Sequence, residues 1–324
     1  MRNAESGCNF PADRRQIMSN RTKGNLALLL TAAMWGSGFI SQKLGNEVMP
    51  PMTFNAVRQL LAAMLLTPFM IRSLKKSGYL SRTQNSSSQL EHRKKKLILA
   101  CIVCGAFLLL GTEAQQIGLL TVSAGKSGFI SALYIVMVPF FSVLLGEKVR
   151  KKSVVCVIAA MAGFAVMSLH GGLSGATPGD WWTLVSAAAF AAQIVMVNEY
   201  VDKDNALAIS CLQFWFCGIV GMVIALIMEG WQLPGVFAGI PILIYQTLGP
   251  TATGYTMQTI GQKYTDSSTA ALIMSLEAVL AAVFGAVFLG EMMSAREVVG
   301  SAIIFIAVIL GQLEKKPEAD LTDE

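Results

Sequence analysis

Two stretches of this sequence resemble one another and decide the fold. Residues 121–147 read TVSAGKSGFISALYIVMVPFFSVLLGE, and residues 265–291 read TDSSTAALIMSLEAVLAAVFGAVFLGE. Without a gap, the two stretches are identical at 8 of 27 positions, and both end in Leu-Gly-Glu. The constant offset of 144 residues predicts that one structural unit occurs twice in the chain.

The repeat extends towards the N-terminus of each copy. At an offset of 155 residues, Thr31–Trp35 corresponds to Ser186–Phe190. The longer offset is explained if the first copy carries the longer loop, Arg72–Lys96. We therefore expect one repeat at residues 24–170 and a second at residues 171–313.

The composition places this chain in a membrane. Of 324 residues, 54% are hydrophobic and 14% are charged, and the mean hydropathy is +0.56. Soluble domains carry roughly 25% charged residues. These values exclude a disordered chain, a collagen-like chain and nearly all soluble enzymes. Six cysteines are too few for a disulfide scaffold.

Ten apolar windows have the length of about 20 residues that a membrane-spanning helix needs. Each window is apolar all round, whereas a soluble helical bundle would show polar faces at a spacing of 3.6 residues. We therefore expect an all-α membrane protein with ten transmembrane helices. The windows cover residues 25–45, 52–72, 97–119, 122–145, 153–170, 180–200, 206–228, 237–261, 267–289 and 295–313.

The distribution of positive charge predicts the orientation of these helices. If the N-terminus is cytoplasmic, 21 of the 25 lysine and arginine residues lie on the cytoplasmic side. This asymmetry is the positive-inside signature, and it places both termini in the cytoplasm. We expect a multi-pass protein of the cell membrane. Residues 1–23 are expected to form a flexible cytoplasmic tail and residues 314–324 a second tail.

An odd number of helices in each repeat has a geometric consequence. The first five-helix unit enters the membrane from the cytoplasm, so the second must enter from outside. The two halves are then related by a pseudo-two-fold axis in the membrane plane, the inverted-repeat plan of secondary transporters. Such a plan permits inward-open and outward-open packings around one central site. The alternative is a fixed bundle or a membrane enzyme with coincidental self-similarity.

Four charged side chains fall inside the apolar windows, where insertion costs about 2.5–3.5 kcal/mol each. Arg58 and Glu113 lie about 10 Å from the outer ends of their helices, and Lys126 lies about 6 Å from one. A short outer turn joins helices 3 and 4, so Glu113 and Lys126 are expected to face each other. Glu277 lies about 16 Å into helix 9, near the midplane.

These four charges have a structural and a functional interpretation. They sum to zero, so they could form a neutral network of Glu113 with Lys126 and Arg58 with Glu277. In the functional interpretation, Glu277 carries a proton or is the counter-ion of an ammonium group. The planar fork of Arg58 suits a carboxylate of the substrate.

Uncharged polar and aromatic residues complete the predicted substrate site. The aromatic candidates Trp35, Phe39, Tyr134 and Tyr255 could enclose a cation or an aromatic metabolite, or could simply pack between helices. The amides of Gln193 and Gln258 could bind a ligand or join helices by hydrogen bonds. The ten candidates are Trp35, Phe39, Arg58, Glu113, Lys126, Tyr134, Gln193, Tyr255, Gln258 and Glu277.

Other motifs carry no chemistry in this sequence. Gly125-Lys126-Ser127 lacks the first glycine of a phosphate loop, and the cysteines near residue 101 lie within an apolar helix. We expect no metal, no cofactor, no nucleic-acid partner and no enzymatic activity. Gly146 and Gly290 are expected to end helices in the left-handed conformation, with structural roles for Glu147 and Glu291.

Several of these features resemble the EamA group of the drug/metabolite transporter superfamily. They are the ten spans, Trp35-Gly36, Arg58, the stretch Ser127–Glu147 with Pro139, and the repeated Leu-Gly-Glu. The resemblance covers about residues 24–313 and implies a ten-helix inverted-repeat carrier with a central cavity. One departure is that Ala278 follows Glu277, where the family often has proline, which leaves a kink there open.

The leading hypothesis is a secondary transporter, coupled to protons or another ion, that exports small metabolites such as amino acids or toxic amphiphiles. The first alternative is an importer or exchanger of amines or quaternary ammonium compounds. An alternative of another class is a non-transporting membrane scaffold or a lipid-modifying enzyme. The expected partners are a small-molecule substrate, protons or another coupling ion, and membrane lipids.

Overall fold

The chain is helical throughout the part that the structure describes. This computed structural model describes residues 12–79, 87–146, 151–169, 175–202 and 205–312, and every regular element in these ranges is a helix. The elements are α1 (Ala12–Val48), α2 (Pro51–Lys76), α3 (Ser87–Gly118), α4 (Ala124–Ser131), α5 (Tyr134–Ser142) with the 3-10 turn Val143–Leu145, α6 (Lys151–Ser168), α7 (Pro178–Tyr200), α8 (Ala206–Met228), α9 (Leu233–Ala238), α10 (Ile240–Gln246), the π-helical segment Thr247–Gly254, α11 (Tyr255–Gln262), α12 (Ser267–Met274), α13 (Leu276–Leu289) and α14 (Ala295–Gln312).

These helices confirm the prediction of an all-α chain with several membrane spans. Within the described ranges, seven helical segments are long and apolar enough to cross a membrane: α1, α2, α3, α4 with α5, α7, α8, and α12 with α13. The other three apolar windows are also helical, as α6, α10 to α11, and α14. Large side chains such as Ile227 and Phe288 are exposed on the outside, as expected of a lipid-facing surface.

The first helix begins earlier than the apolar window. Because α1 starts at Ala12, part of the segment 1–23 that we expected to be a tail is helical. Residues 1–11 and 314–324, which hold the remainder of the two predicted tails, lie outside the described residues. Glu147 and the boundary between the two repeats at residues 170–171 also lie outside them.

The helix ends follow local sequence signals. Gly146 has φ 88° and Gly290 has φ 67°, which confirms the predicted left-handed ends, a conformation that glycine adopts without a steric penalty. The Ser123 hydroxyl caps α4, and the Asp266 carboxylate caps α12 by accepting from the Thr269 amide. Glu229 caps α2 by accepting from the amides of Met52 and Thr53, both at 2.8 Å.

Long helices of the two sequence repeats pack against each other across the molecule. The most extensive contacts join α2 with α8, α3 with α7, α6 with α14, and α1 with α13. The end of α1, the start of α4 and the start of α7 lie together, and we call this side the upper end. There, the Gly179 amide donates to the Thr121 hydroxyl at 3.1 Å.

Three of the apolar windows contain interrupted helices. The helix is broken at Ala132–Leu133 between α4 and α5, and at Ser275 between α12 and α13. The second break lies two residues before Glu277 and occurs without the proline of the family pattern. In the third window, the α-helix is interrupted by the π-helical segment around Pro250, and such segments occur frequently at functional sites.

Candidate functional site

A central cavity lies between the two sequence repeats. Its walls come from α1, α2, α3 and the start of α5, and from α7, α10 to α11 and α13. It is narrow, with a volume of about 20 Å³, which holds a water molecule but no metabolite. Seven predicted site residues line it: Trp35, Phe39, Arg58, Tyr134, Gln193, Tyr255 and Glu277.

The other three predicted residues lie behind the cavity wall. Gln258 is fully buried and donates from Nε2 to Gln193 Oε1 at 3.0 Å, so it holds a cavity residue in place. Gln193 in turn donates to Gln213 Oε1 at 3.2 Å. Glu113 and Lys126 do not line the cavity either, and each has a separate environment that is described below.

Arg58 is held rigidly in the cavity wall. It is 2% exposed, and its Nε donates to Asn55 Oδ1 at 2.8 Å while Nη1 donates to Thr251 Oγ1 at 3.2 Å. The side-chain amide of Gln246 is oriented so that both its oxygen and its nitrogen form hydrogen bonds. The oxygen accepts from Arg58 Nη1 at 2.8 Å, and the nitrogen donates to the Ser41 hydroxyl. These bonds use Nε and Nη1, which leaves Nη2 as the donor available to a carboxylate.

Glu277 places a carboxyl group on a different wall of the same cavity. It is 4% exposed and belongs to the first turn of α13. Its polar neighbour is the Tyr134 hydroxyl, and no ion pair reaches it in the part of the chain that the structure describes. The expected pair of Arg58 with Glu277 is therefore not formed in this conformation, so both groups remain available to a ligand.

Aromatic rings line the same cavity as these two groups. The Trp35 and Tyr255 rings lie 4.8 Å apart between centroids, and Phe214 supports Tyr255 from behind at 5.8 Å. Trp35 Nε1 donates to the Pro250 carbonyl at 3.1 Å, a group that the π-helical segment makes available. The arrangement offers flat apolar surfaces next to a carboxylate, which suits an ammonium group or an apolar side chain.

The expected pair of Glu113 with Lys126 is wrong. Lys126 Nζ instead lies 2.7 Å from Asp180 Oδ1, and Asp180 is fully buried. The physical reason is that the start of α4 packs against the start of α7, which carries Asp180, so Lys126 points away from α3. Asp180 is also bound by the Ser168 hydroxyl at 3.2 Å and by the Thr177 amide at 2.9 Å.

A second ion pair joins the two repeats at the upper end. Lys43 of α1 pairs with Glu291, and the other Glu291 oxygen accepts from the Ala124 amide at 2.7 Å at the start of α4. Lys43 also donates to the Val122 carbonyl at 3.0 Å. Glu291 therefore has the structural role that we expected, and it ties three elements together.

Several residues of this site escaped the sequence analysis. Asn55, Thr251 and Gln246 position Arg58, but a polar residue in an apolar window does not reveal which side chain it will meet. Asp180 had a weak signal, because Thr177 and Asp180 have the spacing of a capping box and this box forms. Within the described ranges, no group of three His, Cys, Asp or Glu residues could hold a metal ion.

Known proteins with sequences similar to this chain include two that are named as a transporter or an exporter. The chain is 29% identical to an uncharacterized transporter of Archaeoglobus fulgidus, over 90% of this chain and 87% of the relative. It is 25% identical to a probable terminal-alkyne amino-acid exporter of Streptantibioticus cattleyicolor, over 89% of this chain and 93% of the relative. A solved crystal structure has the same fold, with a TM-score of 0.60 at 16% identity, over 91% of this chain and 97% of the other.

The sequence model of the EamA-like transporter family matches residues 22–169 and again residues 177–311. These matches cover nearly all of the described helices and confirm the family that the sequence motifs suggested. Together with several helices able to span a membrane, they identify a multi-pass membrane protein with a transport function. The chain belongs to the EamA-like transporter family.

Proposed function

We propose that this protein is a secondary transporter that exports small zwitterionic metabolites of the amino-acid class across the cell membrane. The observation that carries the proposal is that two ionisable groups, Arg58 and Glu277, lie on different walls of one cavity and neither forms an ion pair with a described residue. Arg58 binds the carboxylate of the substrate, Glu277 binds its ammonium group, and Trp35 and Tyr255 contact its side chain. The relative named as a probable amino-acid exporter supports the same substrate class.

The proposed mechanism is alternating access in a ten-helix inverted repeat with both termini in the cytoplasm. The helix contacts support this symmetry: exchanging the halves turns the pair α3–α7 into α11–α1, and the pair α4–α7 into α12–α1. The pairs α2–α8 and α6–α14 are converted into themselves. Two ion pairs join the halves at the upper end, so we assign this conformation as closed on that side.

A quaternary ammonium compound is the second candidate substrate. Five aromatic residues line the cavity together with Glu277, as expected for a site that binds a cation: Trp35, Phe39, Tyr134, Phe190 and Tyr255. The buried guanidinium of Arg58 opposes a substrate that carries positive charge alone. This opposition is the reason that we favour a zwitterion.

Transport into proteoliposomes tests the proposal. Purified protein is assayed for counterflow of radiolabelled alanine, threonine, phenylalanine, propargylglycine and choline. We expect exchange of amino acids, and a fall of about tenfold or more in Glu277→Gln and in Arg58→Gln, because each loses a charge-assisted hydrogen bond of about 1.5–3 kcal/mol. Glu199→Gln, which changes an exposed glutamate, is the matched control.

The two variants also separate the two substrate classes. If choline is the better substrate and Arg58→Gln accelerates its exchange, the amino-acid assignment is wrong and the second candidate replaces it. If wild-type protein exchanges none of the five compounds, the amino-acid proposal fails.

A further inference from the structure

Glu113 is an ionisable group that the proposed mechanism does not use. Both of its carboxylate oxygens are shielded from solvent, and neither accepts a hydrogen bond from a described residue. The nearest amide, from Asn55, donates instead to the Thr112 carbonyl at 2.9 Å. A carboxylate in such a place needs a counter-charge or a proton, since burying an isolated charge is costly.

The surroundings of Glu113 favour a proton over a metal cation. A Cβ atom placed on Gly221 would lie 3.6 Å from Glu113 Oε1, 3.6 Å from Ala56 Cβ and 3.4 Å from Leu109 Cδ1. Glu113 Oε1 therefore lies close to the apolar side chains of Ala56 and Leu109. A hard cation would need several further oxygen ligands, and no group of three His, Cys, Asp or Glu residues among the described residues could hold a metal ion.

The charges on the elements around α3 leave one imbalance. Lys126 of α4 is paired with Asp180 of α7, Lys43 of α1 is paired with Glu291, and Glu229 at the end of α8 caps α2. Among the described residues, the buried groups without an ion-pair partner then carry, when ionised, one positive and two negative charges. They are Arg58, Glu113 and Glu277.

The positions of these three groups indicate which of the two carboxyl groups Arg58 neutralises. Asn55 accepts from Arg58 Nε at 2.8 Å and donates to the carbonyl of Thr112, the residue before Glu113, at 2.9 Å, so one amide links Arg58 to the segment that carries Glu113. Glu277 occupies another wall of the cavity. In the empty protein, Arg58 therefore balances Glu113, and one proton is needed to balance Glu277. When the carboxylate of a substrate binds Arg58 and its ammonium group binds Glu277, Glu113 loses its counter-charge. The proton then binds to Glu113.

We propose that Glu113 is a second proton-binding site, which shares one proton with Glu277 and keeps the buried cavity neutral in every transported state. This inference rests on the proposed function. It makes the proton coupling depend on the charge of the substrate. A zwitterion moves the single proton between the two carboxylates, so no net proton crosses the membrane with it. A permanent cation occupies Glu277 alone, displaces the proton into the solution, and exchanges for it one to one.

A spectroscopic test of this site needs no substrate. Infrared spectra of the protein in liposomes report the carbonyl stretch of protonated carboxyl groups, which we record at neutral pH without ligand. We expect one buried band in wild-type protein and its loss in Glu277→Gln. The band is also lost in Glu113→Gln, because Arg58 then balances Glu277 and no proton is required. Glu199→Gln keeps the band.

Transport separates the inference from the function on which it rests. The probes are L-phenylalanine and phenethyltrimethylammonium, which differ in charge and share a phenyl group. In wild-type proteoliposomes, a pH gradient drives uptake of the cation and leaves phenylalanine exchange unchanged. In Glu113→Gln, uptake of the cation falls about tenfold or more, since its complex holds an unbalanced buried charge, while phenylalanine exchange stays within about twofold.

Contrary results have distinct meanings. A carboxyl band that persists in Glu113→Gln, or cation uptake equal to wild type in that variant, overturns the proton site and leaves the proposed transport intact. If wild-type protein moves neither probe, the transport proposal fails for these substrates, and the infrared titration still decides whether Glu113 and Glu277 share a proton.

Discussion

The charged residues in the apolar windows of this protein differ in whether they form an ion pair. Lys126 and Asp180 form a buried pair, and Asp180 receives further hydrogen bonds from Ser168 and Thr177. Glu277 has no such partner within the described chain and faces the cavity. Residues of the same type therefore serve structure at one position and are available for ligand binding at another.

A double-mutant cycle on Lys126 and Asp180 tests the structural half of this division. Removing one partner of a buried ion pair costs about 3–5 kcal/mol, because the other charge stays buried without compensation. We therefore expect Lys126→Met and Asp180→Asn each to lower the midpoint of thermal unfolding strongly. The double variant should lose less than the sum of the two, because it retains no unpaired charge.

The pair of Lys43 with Glu291 is the control for this cycle. Its side chains are 26% and 20% exposed, against 12% and 0% for Lys126 and Asp180, so water screens it more. The coupling between Lys43→Met and Glu291→Gln should be smaller, close to the 0–1 kcal/mol that is typical of exposed pairs. Purely additive losses in the Lys126–Asp180 cycle would contradict a buried, mutually compensating pair.

Close approach between helices depends on small residues at two facing positions of α6 and α14. A Cβ atom on Gly300 would lie 2.7 Å from the Gly163 carbonyl oxygen, and one on Gly163 would lie 2.8 Å from the Gly300 carbonyl oxygen. Small residues of this kind allow membrane helices to associate through backbone contacts. The window 295–313 is thereby fixed against α6, although neither glycine is unusual within its own apolar window.

Replacing Gly300 by alanine should force these two helices apart. The obstructing atom is a backbone oxygen, which cannot rotate away as a side chain could, and overpacking of this kind costs about 1–3 kcal/mol. We expect a lower midpoint of thermal unfolding in detergent for Gly300→Ala. Gly285→Ala is the matched control, because its nearest atom is 3.4 Å from the added Cβ, an ordinary contact distance. Equal midpoints for the two variants would refute this packing argument.

The predicted span that contains α10 and α11 is interrupted. The sequence predicts one span at residues 237–261, and the structure divides it around Pro250. The Gly-Pro pair is a local signal for such an interruption. The side chains that this segment meets depend on the tertiary structure, because Thr31 and Trp35 of α1 donate to the carbonyls of Gly254 and Pro250 at 3.0 and 3.1 Å.

The proposed inverted topology predicts which loops of the protein can be labelled from outside the cell. In a background without the six natural cysteines, Ala176→Cys should react with a membrane-impermeant maleimide added to intact cells. Lys75→Cys should react only after the membrane is permeabilised, since the proposed orientation, which follows the positive-inside rule, has the connection between α2 and α3 in the cytoplasm. Labelling of both residues from one side would exclude an odd number of spans between them.

Local features of the sequence predict the helical segments, their left-handed glycine ends and the charges that lie in the apolar windows. They do so because apolar length, glycine and charge act locally or through the cost of entering lipid. The partners of those charges become visible only when the helices are packed together. Lys126 meets Asp180 instead of Glu113, and Arg58 reaches Thr251, because helix rotation and packing distance depend on residues far apart in the chain. Whether a buried charged residue forms an ion pair or remains available to a ligand is therefore a property of the assembled bundle.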